Sequence, residues 1–109
     1  MEREMTMIER VARALTENQM RTANELFRIS DQRRVRTEEQ IAASIETGWP
    51  MNTKDARAAI NAMRDPTKEM IMAEHEYDYY NGNAGRLPHE AEEAWGVMID
   101  AALKESSNA

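Results

Sequence analysis

The sequence predicts an all-α protein, a small bundle of about five helices forming a single domain over residues 1–109. Apolar residues recur at three- and four-residue spacing in several separate stretches, the period that lines one side of a helix. Alanine and methionine are prominent and β-branched runs are few, which favours helix over sheet. At 109 residues with 41% hydrophobic side chains, the chain can bury one core and has little room for a second.

The first helix is expected from Glu2 to about Ile29, a stretch without proline or glycine in which Met5, Ile8, Val11, Ala12, Leu15, Ala23, Leu26 and Phe27 supply the stripe. Thr16, followed three residues later by Gln19, has the form of a capping box, so two courses are open. Unbroken, the helix is long and projecting, about 40 Å for some 27 residues at ~1.5 Å each. Broken at Thr16, its halves fold back on each other. Arg28 to Arg36 carries four arginines against one aspartate with almost no apolar period and reads as a connector or a solvated helix end.

Thr37-Glu-Glu-Gln40 is a second capping-box pattern opening a short helix to Thr47, with Ile41, Ser44 or Ile45 inward. Gly48, free to turn left-handed, with Trp49 and Pro50 behind it, gives the stop, and Trp49 is expected in the core. Asn52 or Thr53 then caps a third helix ending at Asp65, whose apolar side is Ala56, Ala59, Ile60 and Met63. Asp65 before Pro66 starts the fourth helix, which runs to about Tyr80 with Met70, Ala73 or Glu74, and Tyr77 inward. Residues 81–88 hold two glycines and two asparagines and read as an exposed loop, with Pro88 opening the last helix. That helix places Ala91, Ala94, Trp95, Met98, Ile99, Ala102 and Leu103 on one side. Glu90, Glu92 and Glu93 fall in its first turn, where the dipole favours them, and the tail from Glu105 is expected to fray.

Composition narrows the function. With no cysteine there are no disulfides and no thiolate metal sites, which fits a reducing compartment, the cytoplasm by default. No apolar run approaches the ~20 residues of a membrane span, and Met-Glu-Arg-Glu-Met lacks a secretion pattern, so no membrane association is expected. The net charge of −6 argues against general affinity for polyanions. The charge is unevenly spread: residues 1–57 hold ten basic and ten acidic side chains, residues 58–109 four and ten.

Three clusters are candidates for chemistry or binding. Glu74-His-Glu-Tyr-Asp78 invites a metal reading, but metal sites draw ligands from several elements, the other histidine, His89, opens a different helix, and no Glu-x-x-His pattern occurs. Neither a metal nor another cofactor is therefore expected. Nor is there a glycine-rich phosphate loop, a nucleophile elbow or paired catalytic groups, so no enzyme is expected. Tyr77, Tyr79 and Tyr80 cannot all be buried by one helix face, and with Glu74, Glu76 and Asp78 they form a candidate protein-binding surface. Arg28, Arg33, Arg34 and Arg36 are the one basic concentration, a candidate phosphate-binding set whose plainer reading is a solvated charge run.

Met7-Ile-Glu-Arg-Val-Ala-Arg-Ala-Leu15, the Ala56–Met70 segment and Glu92-Glu-Ala-Trp-Gly-Val-Met-Ile-Asp-Ala-Ala-Leu103 together cover about a third of the chain. They resemble small, mostly uncharacterised proteins of tailed phages and prophages that share an Ala-Arg-Ala-Ala-Ile-x-Ala-Met-Arg-x-Pro-Thr core and a Trp-x-x-Met-Ile-Asp-Ala-Ala-Leu ending. The resemblance carries no binding residue with it, and Thr16 to Gly48 has no counterpart in it. It implies a phage-encoded accessory protein in the host cytoplasm. With no catalytic set and an acidic second half, the expectation is stoichiometric binding to a host or phage protein, with inhibition of a bacterial defence system as the finer reading. The alternatives are an oligomer that binds a nucleotide or nucleic acid through Arg28 to Arg36, and a virion structural or assembly protein. The stripes of the first helix further predict a homodimer through residues 5–29, because burying each large apolar side chain is worth ~1.5 to 3 kcal/mol.

Overall fold

A computed structural model describes residues 4–80 and 88–105, with side chains for all of these except 78–80 and 88. The protein is all-α: five α-helices and two short 3-10 turns, with no strand among the described residues. Contacts group the chain into two compact units, Met1–Ala59 and Ile60–Ala109, and the boundary falls inside the third helix.

Helix α1 is Met7–Ser30. It begins later than Glu2 because the Thr6 hydroxyl accepts the Glu9 N–H at 3.1 Å and so caps it, leaving residues 4–6 outside. It does not break at Thr16. The threonine hydroxyl donates back to the Ala12 carbonyl at 2.8 Å and accepts from the Asn52 side chain at 2.7 Å, so it is a buried mid-helix polar contact instead of a cap. Gln19 exchanges hydrogen bonds with the same Asn52 amide, at 3.3 and 3.2 Å. The helix is therefore continuous for 24 residues, about 36 Å. Its buried positions, Ile8, Glu9, Ala12, Thr16 and Asn24, face α2 and the two 3-10 turns along most of that length. Asp31 closes it, donating its N–H to the Phe27 carbonyl at 2.8 Å.

After a 3-10 turn at Gln32–Arg34, helix α2 occupies Glu38–Gly48. Its capping box is formed as expected: Gln40 N–H donates to the Thr37 hydroxyl at 3.1 Å and Thr37 N–H to the Gln40 side chain at 2.9 Å. Ile41 is fully buried, while Ser44 and Ile45 are half-buried. Two arginine forks tie α2 to α1, Arg13 on Glu46 at 2.8 and 3.0 Å and Arg21 on Glu38 at 2.9 and 3.0 Å.

These forks hold the Glu38 and Glu46 carboxyls below their ordinary range, first through the hydrogen bonds and then through the guanidinium charge. A carboxylate whose folded-state pKa is depressed adds stability at pH values above its unfolded pKa, and that stability is lost as pH falls through the folded value. The urea midpoint should accordingly fall as the solution is acidified below the ordinary glutamate range. A Glu38→Gln, Glu46→Gln double variant should show a flatter acid limb, and an unchanged limb would mean that other groups set it.

Gly48 is not a left-handed stop. It is right-handed, at φ −100°, and the chain runs on through a second 3-10 turn, Trp49–Asn52, into helix α3, Thr53–Ala62. Pro50 sits in the first positions of that turn, where no N–H is needed. Neither Asn52 nor Thr53 acts as the expected cap, because the Asn52 side chain is buried against Thr16 and Gln19 and the Thr53 N–H and hydroxyl both donate to the Pro50 carbonyl. Trp49 is half-buried rather than in the core, with the Arg13 guanidinium 5.4 Å from its ring. The first unit buries Ile8, Ala12, Ile41 and Ala56 together with the polar Glu9, Thr16, Asn24 and Asn52.

Helix α3 stops three residues short of Asp65, its end tightened by bonds from Met63 N–H to Ile60 and from Arg64 N–H to Asn61, both 3.1 Å. Helix α4 is Lys68–Tyr80, and Thr67 caps it in place of Asp65, accepting the Met70 N–H at 3.2 Å. The expected apolar face of α4 is one residue out of register. Ile71 is buried, whereas Met70, Ala73 and Tyr77 are exposed.

Helix α5, Pro88–Glu105, opens at Pro88 as expected. Ala91 and Ile99 are buried, and Ala94, Trp95, Ala102 and Leu103 half-buried, but Met98, placed inward by its spacing, is 62% exposed. The Trp95 indole N–H donates to the Met63 carbonyl, and Arg64 pairs with Asp100 at 2.5 Å. Among the described residues of the second unit, Ile60, Ile71, Ala91 and Ile99 are the buried apolar ones. The expected loop at residues 81–87 and the tail beyond Glu105 lie outside the described residues. Among the described residues no helix is long and apolar enough to cross a membrane.

Candidate functional site

Two surfaces, one on each unit, gather the candidate residues. In the second unit α4 and α5 pack against each other and leave an open groove of about 200 Å³ walled by Pro66, Met70, Ile71, Ala91 and Trp95, with Glu74 the one charged wall among the described residues. The groove follows from the register of α4. Because Ile71 turns inward, Met70 stands at the groove wall half in solvent, and Glu74, one turn further on, is half-buried beside it.

Of the tyrosine and carboxylate set, Tyr77 is 67% exposed, Glu76 is exposed and Glu74 lines the groove. The side chains of Asp78, Tyr79 and Tyr80 lie outside those described. Reasoning from the sequence missed the groove because Met70 and Trp95 were both assigned to closed core. It also missed Met72, Val97 and Met98, which are exposed on the same two helices. Their signal was present in the sequence: α4 offers more apolar positions than one face can hold.

The basic surface belongs to the first unit. Arg33, Arg34 and Arg36 line one concavity of about 440 Å³ with Gln40 and Ser44 of α2, whereas Arg28, in the last turn of α1, is not among its walls. Asp31 organises the turn. Its carboxylate accepts the Arg33 N–H at 3.2 Å and Arg33 Nε at 3.4 Å, and stands 3.9 Å from Arg34 Nε. The Arg34 guanidinium also lies over the Phe27 ring, 5.6 Å from its centre.

Arg36 is held through its main chain. The Asn24 side chain, on a residue only 3% exposed, donates to the Arg36 carbonyl at 3.0 Å and accepts its N–H at 2.8 Å, as a neighbouring strand would. Nothing in the sequence marks Asn24 as special, since its partner lies twelve residues away on a segment without period.

Among the described residues, no three histidine, aspartate or glutamate side chains come together as a metal site. No protein-family model matches the chain, and no curated protein or solved structure matches it.

Proposed function

We propose that the chain acts by stoichiometric binding to a protein partner through the α4–α5 surface. The observation that supports this reading is the open apolar groove between the two helices, with Met72, Tyr77, Val97 and Met98 also left in solvent. An exposed apolar surface of this kind costs solubility unless something covers it, and methionines adapt their shape to what does. The same helices carry Glu69, Glu76, Glu90, Glu92 and Glu93 among their exposed residues. The partner that fits has an apolar anchor for the groove and a basic surround, the charge pattern of proteins that handle nucleic acid. Carboxylates would then occupy ground meant for phosphates. Together with the phage-like segments, this supports inhibition of a bacterial defence complex as the finer form of the reading.

Self-association through residues 5–29 has less surface to use. Ile8 and Ala12 are covered inside the first unit, which leaves Met5 and Met7 at one end of the segment and Leu26 and Ile29 at the other.

The test pairs capture from host lysate with variants on both surfaces. Met70→Lys with Tyr77→Ala should weaken a one-to-one complex by about tenfold or more, the loss of two central contacts, while Arg33→Gln leaves it intact. A complex insensitive to the α4 variants, or one lost equally with Arg33→Gln, would overturn the assignment of the surface.

A further inference from the structure

We propose that the concavity between the Gln32–Arg34 turn and α2 is a binding site for a small phosphate monoester, built into the first unit independently of the protein-binding surface. Two observations converge there. Arg33, Arg34 and Arg36 line one hollow of about 440 Å³, within the size of ordinary small-molecule sites. And the backbone that carries the arginines is fixed by two devices, the Asp31 carboxylate on the turn and the buried Asn24 amide on Arg36. A merely solvated charge run needs neither a clamp nor a hollow.

The chemistry of the ligand follows from charge and shape. Asp31 neutralises one of the three guanidinium charges and leaves two, which a phosphate monoester, at about −1.5 to −2 near neutral pH, balances. A carboxylate brings two oxygens and a single charge, whereas the three terminal oxygens and the larger charge of a phosphate monoester suit several arginine forks together. Further donors come from α2. The Gln40 amide oxygen is committed to Thr37, so its NH₂ is the end left to donate, and the Ser44 hydroxyl stands on the same wall.

Arg28, exposed in the last turn of α1, stands outside the hollow. The flanking helices carry Glu25, Glu38 and Glu39 among their exposed residues, and the whole chain is at −6, so a polymer that needs successive phosphate contacts is disfavoured relative to a small ligand.

The experiment is calorimetric titration of the full chain at low salt with inorganic phosphate, with adenosine monophosphate and with a single-stranded oligothymidylate, supported by phosphorus NMR. The monophosphate or free phosphate should bind saturably, and their relative affinities show whether the ester's organic part adds contacts. Binding should weaken by about tenfold in Arg36→Gln and nearly as much in Arg36→Lys, which keeps the charge but loses the planar fork. If Arg36→Gln loses helicity, the Arg33→Gln, Arg34→Gln double variant, whose side chains are both exposed, carries the same test. No saturable binding at tens of millimolar phosphate or monophosphate would overturn the proposal. So would an affinity unchanged in the arginine variants, or an oligonucleotide that binds while both small probes do not.

Discussion

Replacing Arg13 by alanine should lower the stability of the fold by about 3 kcal/mol, far more than its place on a helix surface suggests. The guanidinium joins two carboxylates of different standing. Glu46, with its side chain 68% exposed, contributes little, because exposed ion pairs are screened and entropically costly. Glu9 is different: its side chain is 4% exposed and accepts from Arg13 Nε at 2.9 Å. Removing the arginine takes an ion-pair partner from a buried carboxylate, and the weakened compensation of that desolvated charge dominates the loss. The guanidinium also lies over the Trp49 ring, worth roughly 0.5 to 1 kcal/mol at such a site. Arg13→Met keeps an unbranched side chain without the charge, so if the charge dominates it should lose nearly as much as Arg13→Ala. Urea unfolding of the two variants separates the terms. A loss of less than about 1 kcal/mol in both would show that Glu9 keeps its stability without the guanidinium.

The second large effect is expected at Asn24. Asn24→Ala removes both the donor and the acceptor that hold the Arg36 peptide groups, leaving an N–H and a carbonyl in a partly buried place. Each unmet group costs on the order of 1 to 3 kcal/mol, less where water can enter, so a loss of about 3 kcal/mol is expected for the pair. Asn24→Asp keeps an acceptor for the Arg36 N–H and loses only the donor, so it should fall between alanine and the parent protein. Amide exchange at Arg36 gives a second reading, since its N–H should lose protection in Asn24→Ala before the amides of α1 do. Protection unchanged at Arg36 would count against the clamp.

Helices were legible as helices from their apolar period, and α2 and α5 from an end signal as well. Thr37 and Gln40 formed the box their spacing implies, and Pro88 opened α5. What misled was ambiguity in residues that serve either as caps or as buried polar contacts. Thr16 and Asn52 have the chemistry of caps, yet they bond to each other across 36 positions, a pairing that no local pattern encodes. Thr6 and Thr67, read as ordinary helix or passed over beside Pro66, are the caps in fact.

The register error in α4 has a similar origin. Met70, Ala73 and Tyr77 fit a stripe as well as Ile71 and its neighbours do, and the weakly amphipathic helix offered no clear contrast to choose between them. The arginines, by contrast, were visible as a concentration. That three of them share a hollow while Arg28 does not depended on the 3-10 turn and on Asn24, neither of which has a periodic signature.

The chain's two tryptophans fall on opposite sides of the boundary inside α3, Trp49 with its ring against a guanidinium in the first unit and Trp95 hydrogen-bonded to the Met63 carbonyl in the second. Each unit therefore holds a single indole emitter in its own electrostatic setting. With Trp49→Phe the remaining fluorescence comes from the second unit alone, and with Trp95→Phe from the first. Unfolding curves from the two proteins can then be laid over each other, and coincidence or separation of their midpoints reads out whether α3 transmits cooperativity across the boundary it spans.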